Sequence, residues 1–533
     1  MSFDLPPLDG TAMPAFVTAD DCKRWLDEQT QTKPVVLQGQ LCEQIELLNR
    51  QAVMPRERFG ILETLRPQIA FVQEEVSKHY AAKPLPFLAS EAEAFAATAA
   101  LWQAVVVGYL RCLDDASADA VAEQTQATLA ERVLATLHAA QIDSVRGYTQ
   151  SGSRHWSRLH QSLAFAERLG AATMPVNDKA RYGEQEAVTP LSVYAEAMLL
   201  DTASAHEFSA RQLKWVVRWA RRWSGKLVLR NDLPTDLRAV PLNIDLDSAL
   251  PPSPLPIRNA GQARFLDTSE LAASIQARLA ALAEGRPPAK LQLGDDCPQP
   301  ECEQMLRHLY QRWCKGGTQR PTDRHATSEV IELAAGFEPI WFQISGNPFK
   351  PPSARSSDEI LRHEREELAT FGDIRGRHDT TTTDLGKLRA VSNWQSVNEG
   401  ATGLRLVRTA NAGGIRIGAG QLIAVKKPDA AAFSPASVSW LMLDDGGLLH
   451  AGVQLMPGAA TAVAVRNAGL NVAKEKWHPA FLLTADQLPL QMVLPAGMFR
   501  TGRIIEVAGG PARQYKLTQL VEGSDHFERV VVG

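Results

Sequence analysis

The sequence predicts an α+β multidomain protein: an N-terminal, mainly α-helical bundle or solenoid-like region followed by a C-terminal antiparallel β-barrel. Three observations carry this expectation. From about Pro55 to Trp223 apolar residues recur at three- and four-residue steps, the mark of helices with one buried stripe. After Gly372 the pattern changes to short β-rich runs parted by Gly-, Asn- and Asp-rich turns. With 533 residues, 45% of them hydrophobic and 22% charged, the chain can bury a sizeable core in more than one domain, which excludes disorder as its main state.

Taken in order, Phe59, Leu62, Leu65, Ile69, Val72 and Val76 define one amphipathic helix, and Trp156, Leu159, Leu163 and Leu169 another. The near-apolar run Ala94 to Leu110 is Ala-rich, carries Thr98 and Gln103, and falls short of the roughly 20 residues of a membrane span. It reads as a buried helix, and no membrane insertion is expected. Ser209 with Gln212 has capping-box spacing and opens a helix presenting Leu213, Val216, Val217 and Ala220. On that helix Trp215, Trp219 and Trp223 recur every four residues as a core seam, and Lys214, Arg218, Arg221 and Arg222 form a solvated face.

A Pro-rich break, LPPSPLP from Leu250 to Pro256, precedes helices over Thr268 to Glu284, stopped by Gly285, and Glu301 to Lys315, stopped by Gly316 and Gly317. The run from Ser328 to Ser345 fits two short strands or a strand and a helix. A loop and a charged helix, Asp358 to Phe371, follow. Strands are expected at Val391–Asn398, Thr402–Arg408, Arg416–Lys427, Ser437–Leu443, Leu448–Met456 and Thr461–Arg466, the spacing of a small barrel. Further strands near Ala480–Thr484, Gln491–Leu494, Gly502–Val507 and Tyr515–Val521 extend the barrel or form a second β element. The expected division is a helical domain over 1–250, a second mainly helical segment with possible short strands and a linker helix over 251–371, and the barrel with its β extension over 372–533.

A net charge of −4 argues against a general nucleic-acid binder. From Phe371 to the end, however, 17 Lys and Arg face 13 Asp and Glu, so positive charge concentrates in the β region. No secretory signal is readable in MSFDLPPLDGTAMP. Six scattered cysteines favour reduced thiols in the cytoplasm. There is no Walker loop, nucleophile elbow, H-E-x-x-H or complete dinucleotide fingerprint. Gly418-x-Gly420 reads as a bulge or turn, and Asp245-x-Asp247 as a turn or cap. Cys297, Cys302, His308 and Cys314 lack the two-pair spacing of zinc sites, so no metal is expected. No catalytic residue is nominated and no enzyme is expected; an active site assembled across domains is the remaining alternative.

One constellation stands out. In WQSVNEGATGLRLVR, Asn398, Gly400 and Gly403 form N-x-G-x-x-G between two strands, beside Arg405 and Arg408. Such a turn exposes backbone N–H groups and an amide, and glycine lets a bulky anion approach the backbone. Upstream lie Arg375 and Arg377, whose guanidinium forks suit phosphates and guanine edges and stack on bases. Read without a family, this is a hairpin turn with nearby arginines, and ligand binding is the minority reading.

The order of these parts resembles the PilZ family of bacterial cyclic di-GMP receptors: an arginine-bearing segment, a barrel with a D/N-x-S-x-x-G turn, and a late Gly-Val-x-Phe strand. The corresponding segments here are Arg375 with Arg377, Asn398 to Gly403, and His450-Ala451-Gly452-Val453-Gln454-Leu455. The phrase W-x-x-V-N-E-x-x-x-G-L-R-L is similar to a group with a long helical N-terminal region, and the resemblance spans about Gly372 to Val465. Two departures stand in it: Gly400 replaces the family serine, and R-x-R replaces R-x-x-x-R. A lost hydrogen bond to a charged group costs on the order of 1.5–3 kcal/mol.

The resemblance implies a PilZ-like fold and a cytoplasmic, non-enzymatic effector that binds cyclic di-GMP without a resident cofactor. It implies ligand contacts from Arg375, Arg377, Asn398, Gly400, Gly403 and Arg405. The helical region would relay the signal to a protein partner, with the helix Asp358 to Phe371 as relay. The alternative is a ligand-free interaction scaffold with a degenerate barrel.

Overall fold

The computed structural model describes residues 3–29, 32–118, 123–182, 187–233, 237–257, 259–317, 324–352, 383–410, 413–468, 475–510 and 513–533. The expected helix Asp358 to Phe371 and both Arg375 and Arg377 lie outside them. The chain divides into two compact units, residues 1–83 with 87–320, and residues 84–86 with 321–533.

The first unit holds α1 (Ala19–Glu28), α2 (Pro34–Arg50), α3 (Pro55–Ser77), α4 (Ala89–Ala118), α5 (Glu123–Arg146), α6 (Ser153–Arg168), α7 (Lys179–Tyr182), α8 (Pro190–Thr202), α9 (Ala210–Trp223), α10 (Ser269–Ala283) and α11 (Glu301–Cys314). It also holds the strand pair β1 (Val176–Asn177) and β2 (Ala187–Val188), and the antiparallel sheet β3 (Val228–Arg230), β5 (Ala263–Asp267), β4 (Leu242–Asp245). The α3 stripe is buried as its spacing predicts: Leu62, Leu65, Ile69, Val72 and Val76 are all in the core. The helix α4 extends over 30 residues, longer than the apolar run that signalled it. By length and composition it would suffice to cross a membrane, yet 56% of its most apolar window is buried in the protein, with Leu101, Val106, Tyr109, Leu110 and Leu113 among α2, α3 and α5.

Both caps expected of α9 are made: Ser209 accepts from Gln212 N, and the Gln212 side chain accepts from Ser209 N. Trp215, Trp219 and Trp223 stack down one side with centroids 6.3 and 6.0 Å apart, and Trp313 of α11 meets Trp223 edge-on. Each of three indole N–H groups finds an acceptor, Asp296 for Trp215, the Leu293 carbonyl for Trp219 and the Leu199 carbonyl for Trp313. This seam joins α9 to the segment after the Pro-rich break, so 251–317 shares one core with the preceding helices. The break itself is tied back, with Asn243 and Ser253 exchanging backbone bonds.

In the second unit the ambiguous run Ser328 to Ser345 is a strand and a helix. After β6 (His325–Ala326), β7 (Val330–Ala335) leads into α12 (Phe337–Ser345) across Gly336, whose φ of +90° suits glycine. Beyond α13 (Thr383–Arg389) come β8 (Ser392–Gly400), β9 (Gly403–Thr409), β10 (Leu422–Lys426), β11 (Ser434–Leu443) and β12 (Leu448–Leu455). The antiparallel pairings run β8, β7, β10, β11, β12, β9 and back to β8, closing a six-stranded barrel, with β6 alongside the far end of β8. The strand expected over Arg416–Lys427 begins only at Leu422; Ile417 instead pairs with Leu85, and Arg416 donates to the Pro84 carbonyl.

The sixth place in this barrel belongs to β7, not to the expected Thr461–Arg466. That run lies in β13 (Ala459–Asn467) and starts a second barrel with β14 (His478–Thr484), β15 (Gln491–Pro495), β16 (Ile504–Ala508), β17 (Gln514–Gly523) and β18 (Phe527–Val532). Gly458 makes the switch: its φ is +86°, and a Cβ there would lie 2.1 Å from the Thr484 carbonyl oxygen. Helix α12 packs on strands of both barrels, its Phe337 stacked on Phe481 at 5.8 Å. The fold is α+β, a helical region followed by closed antiparallel barrels.

Truncating a fully buried tryptophan leaves a cavity the neighbouring helices fill only in part. Trp219→Ala is therefore expected to lower the stability of the first unit by about 3–5 kcal/mol, read as a shifted urea midpoint with the β-barrel signal unchanged.

Candidate functional site

The hairpin β8–β9 turns through Ala401 and Thr402, with Gly400 opposite Gly403. Its tip is tied to β12, where Leu455 N donates to the Thr402 carbonyl at 2.9 Å. Gly403 is required by this approach: a Cβ would sit 2.9 Å from the Val453 carbonyl oxygen. The glycine that the sequence marks as an opening for ligand thus also serves strand packing.

Two irregularities aim the side chains. A bulge between Ser396 and Asn398 keeps Ser396 buried beside Leu406 and brings Asn398 opposite Arg405. A second, between Val438 and Trp440, brings Trp440 opposite Gly452. Because Arg405 also pairs with Gly452, the register sets Asn398, Arg405, Gly452 and Trp440 in one row across four strands. Leu404, Leu406, Ala451 and Val453 alternate with this row and fill the barrel interior. The row therefore belongs to the outer face.

Contacts along the row are specific. Arg324, just before β6, donates from Nη1 to Asn398 Oδ1 at 3.0 Å. The Arg405 guanidinium lies 5.9 Å from the Trp440 ring centroid and 3.4 Å, through Nη2, from His450 Nδ1. The indole rests on Gly452, where a Cβ would fall 2.0 Å from Trp440 Nε1. His450 donates from Nε2 to Asp444 Oδ2 at 2.9 Å, and Leu448 N donates to Asp444 Oδ1 at 2.8 Å. The imidazole, then the Leu448 N–H, holds the Asp444 carboxyl below the usual carboxylate range. Glu399, next to Asn398, is paired with Lys427.

Arg408 shares β9 but not the row. It is 7% exposed, donates to the Ile415 carbonyl at 2.7 Å and lies 4.6 Å from the Trp394 ring centroid. Burial draws its guanidinium below the ordinary arginine range. It closes one end of the barrel instead of facing a ligand.

Of the residues nominated from sequence, Asn398, Gly400, Gly403 and Arg405 come together on the hairpin, while Arg375 and Arg377 lie outside the described residues. Sequence reasoning passed over Arg324, Trp440, His450 and Asp444. A signal for Arg324 was present: R-P-T-D-R, Arg320 to Arg324, has the R-x-x-x-R spacing that Arg375 and Arg377 lack. Trp440 and His450 become neighbours of Arg405 only through strand register. The cysteines 297, 302 and 314 are buried in the core of the first unit. Among the described residues no group of three or more His, Cys, Asp or Glu is placed to hold a metal.

Two guanidinium groups, an amide and an indole on one face make a surface suited to a planar, anionic ligand: forks for phosphate oxygens or guanine edges, a flat indole for bases. Residues 20–235 match the model of the family described as "Cyclic-di-GMP receptor FimW, N-terminal domain". No curated protein matches the chain.

Gly452→Ala is expected to expel the Trp440 indole from the row and cost about 1–3 kcal/mol of stability, measured by urea unfolding alongside a change in tryptophan emission.

Proposed function

We propose that the chain is a cytoplasmic, non-enzymatic bacterial effector whose first barrel is PilZ-like and binds cyclic di-GMP across the row Asn398, Arg405, Trp440. The helical unit passes the signal to a protein partner. The observation that carries this reading is the hydrogen bond from Arg324 to Asn398, which sets a guanidinium beside the N-x-G-x-x-G turn. The receptor family matched by residues 20–235 supports the ligand, and six free cysteines support a reducing compartment. Arg324 clamps a phosphate or guanine edge, Asn398 hydrogen-bonds the ligand, and Arg405 supplies a second fork beside the indole. Arg375 and Arg377 remain a second candidate clamp.

Calorimetric titration with cyclic di-GMP at near-physiological salt tests the reading. Saturable binding at about micromolar Kd or tighter is expected, weakened roughly ten- to hundredfold by Arg324→Ala or Asn398→Ala. The double variant Arg375→Ala/Arg377→Ala reports separately on the second clamp. Absence of heat from folded wild-type protein rejects the reading.

Gly400→Ser restores the hydroxyl of the family pattern. It is expected to tighten binding by roughly three- to tenfold in the same titration, provided the added hydrogen bond is made to the ligand.

A further inference from the structure

On this reading Arg405 faces the ligand, and its neighbours determine where its guanidinium points. Among the described residues no carboxylate lies within ion-pair distance of Arg405, and its Nε is buried without a hydrogen-bond partner. Its fixed contacts are the Trp440 ring and His450 Nδ1. The imidazole is itself held. His450 is 9% exposed, lies in register with Val407 on β9 and Met442 on β11, and gives its Nε2 hydrogen to Asp444. Asp444 in turn is anchored by Leu448 N. With the hydrogen on Nε2, Nδ1 keeps its lone pair and accepts from Arg405.

We infer that His450, braced by Asp444, is a positioning residue for Arg405: its Nδ1 holds the guanidinium in the row that cyclic di-GMP meets. The inference rests on the functional reading given above. The charged groups in contact with His450 are Arg405, from β9, and Asp444, at the end of β11; Val407 and Met442, its cross-strand neighbours, carry no charge. Without the Nδ1 acceptor the Arg405 guanidinium keeps only the Trp440 ring beside it and swings from the row, and the ligand loses its second fork.

The test is calorimetric titration of the full chain with cyclic di-GMP at near-physiological salt. His450→Ala is expected to bind roughly three- to tenfold more weakly than wild type, but to add nothing when combined with Arg405→Ala. His450→Gln, whose amide oxygen accepts from Arg405, should recover binding to within about threefold of wild type. Thermal unfolding of each variant confirms that it is folded. A folded His450→Ala that binds as tightly as wild type, or a His450→Gln as weak as His450→Ala, overturns the positioning role while leaving the receptor reading intact. A folded wild type that does not bind overturns both.

Discussion

Strand register is the constraint on which the candidate site depends. A one-residue slip in a barrel sends every side chain to the opposite face. Here the hairpin β8–β9, the pairing of β9 with β12 and that of β12 with β11 must all hold for Asn398, Arg405, Gly452 and Trp440 to share a row. The two bulges make the row possible, because each resets the alternation at one strand and lets the interior remain apolar. Gly403 and Gly452 then let backbone and indole close in where any Cβ would collide. The candidate row is thus placed by glycines and bulges as much as by the side chains that compose it.

The helical unit obeys a different rule. Its helices are short of intrinsic stability and gain it by burying one stripe each, so the aromatic seam of α9 has to be capped, stacked and hydrogen-bonded at once. The seam also decides domain extent, since Trp313, about ninety positions after Trp223, completes it. Buried ion pairs such as Arg66 with Asp178 and Arg181 with Glu196 lie in this unit, where breaking one partner costs far more than the pair contributes.

Much of this was legible in the chain. Helical periodicity, the capping box at Ser209, the glycine stops after α10 and α11 and most strands follow from local chemistry, which sequence displays directly. What escaped was non-local. The β7 segment and Thr461–Arg466 are both short apolar runs, and nothing in either says which barrel it joins. The break at Leu250 to Pro256 reads as a boundary because proline interrupts helices, yet the chain crosses it within one core. At the site, Asn398 and Arg405 were found because a single hairpin brings them together. Trp440, His450 and Asp444 reach Arg405 through pairings with other strands, and Arg324 through β6 beside β8, so only the assembled barrel shows them.

Closure of both barrels has a consequence for how the second unit meets other molecules. A sheet edge is a template for adding a strand from another chain, and among the described residues the second unit leaves only the two-residue β6 in that position. Among the described strands, backbone pairing with a partner, and equally the runaway pairing that seeds fibrils, is confined to that short edge. Elsewhere on these strands recognition proceeds through side chains, which a mutation can tune one at a time.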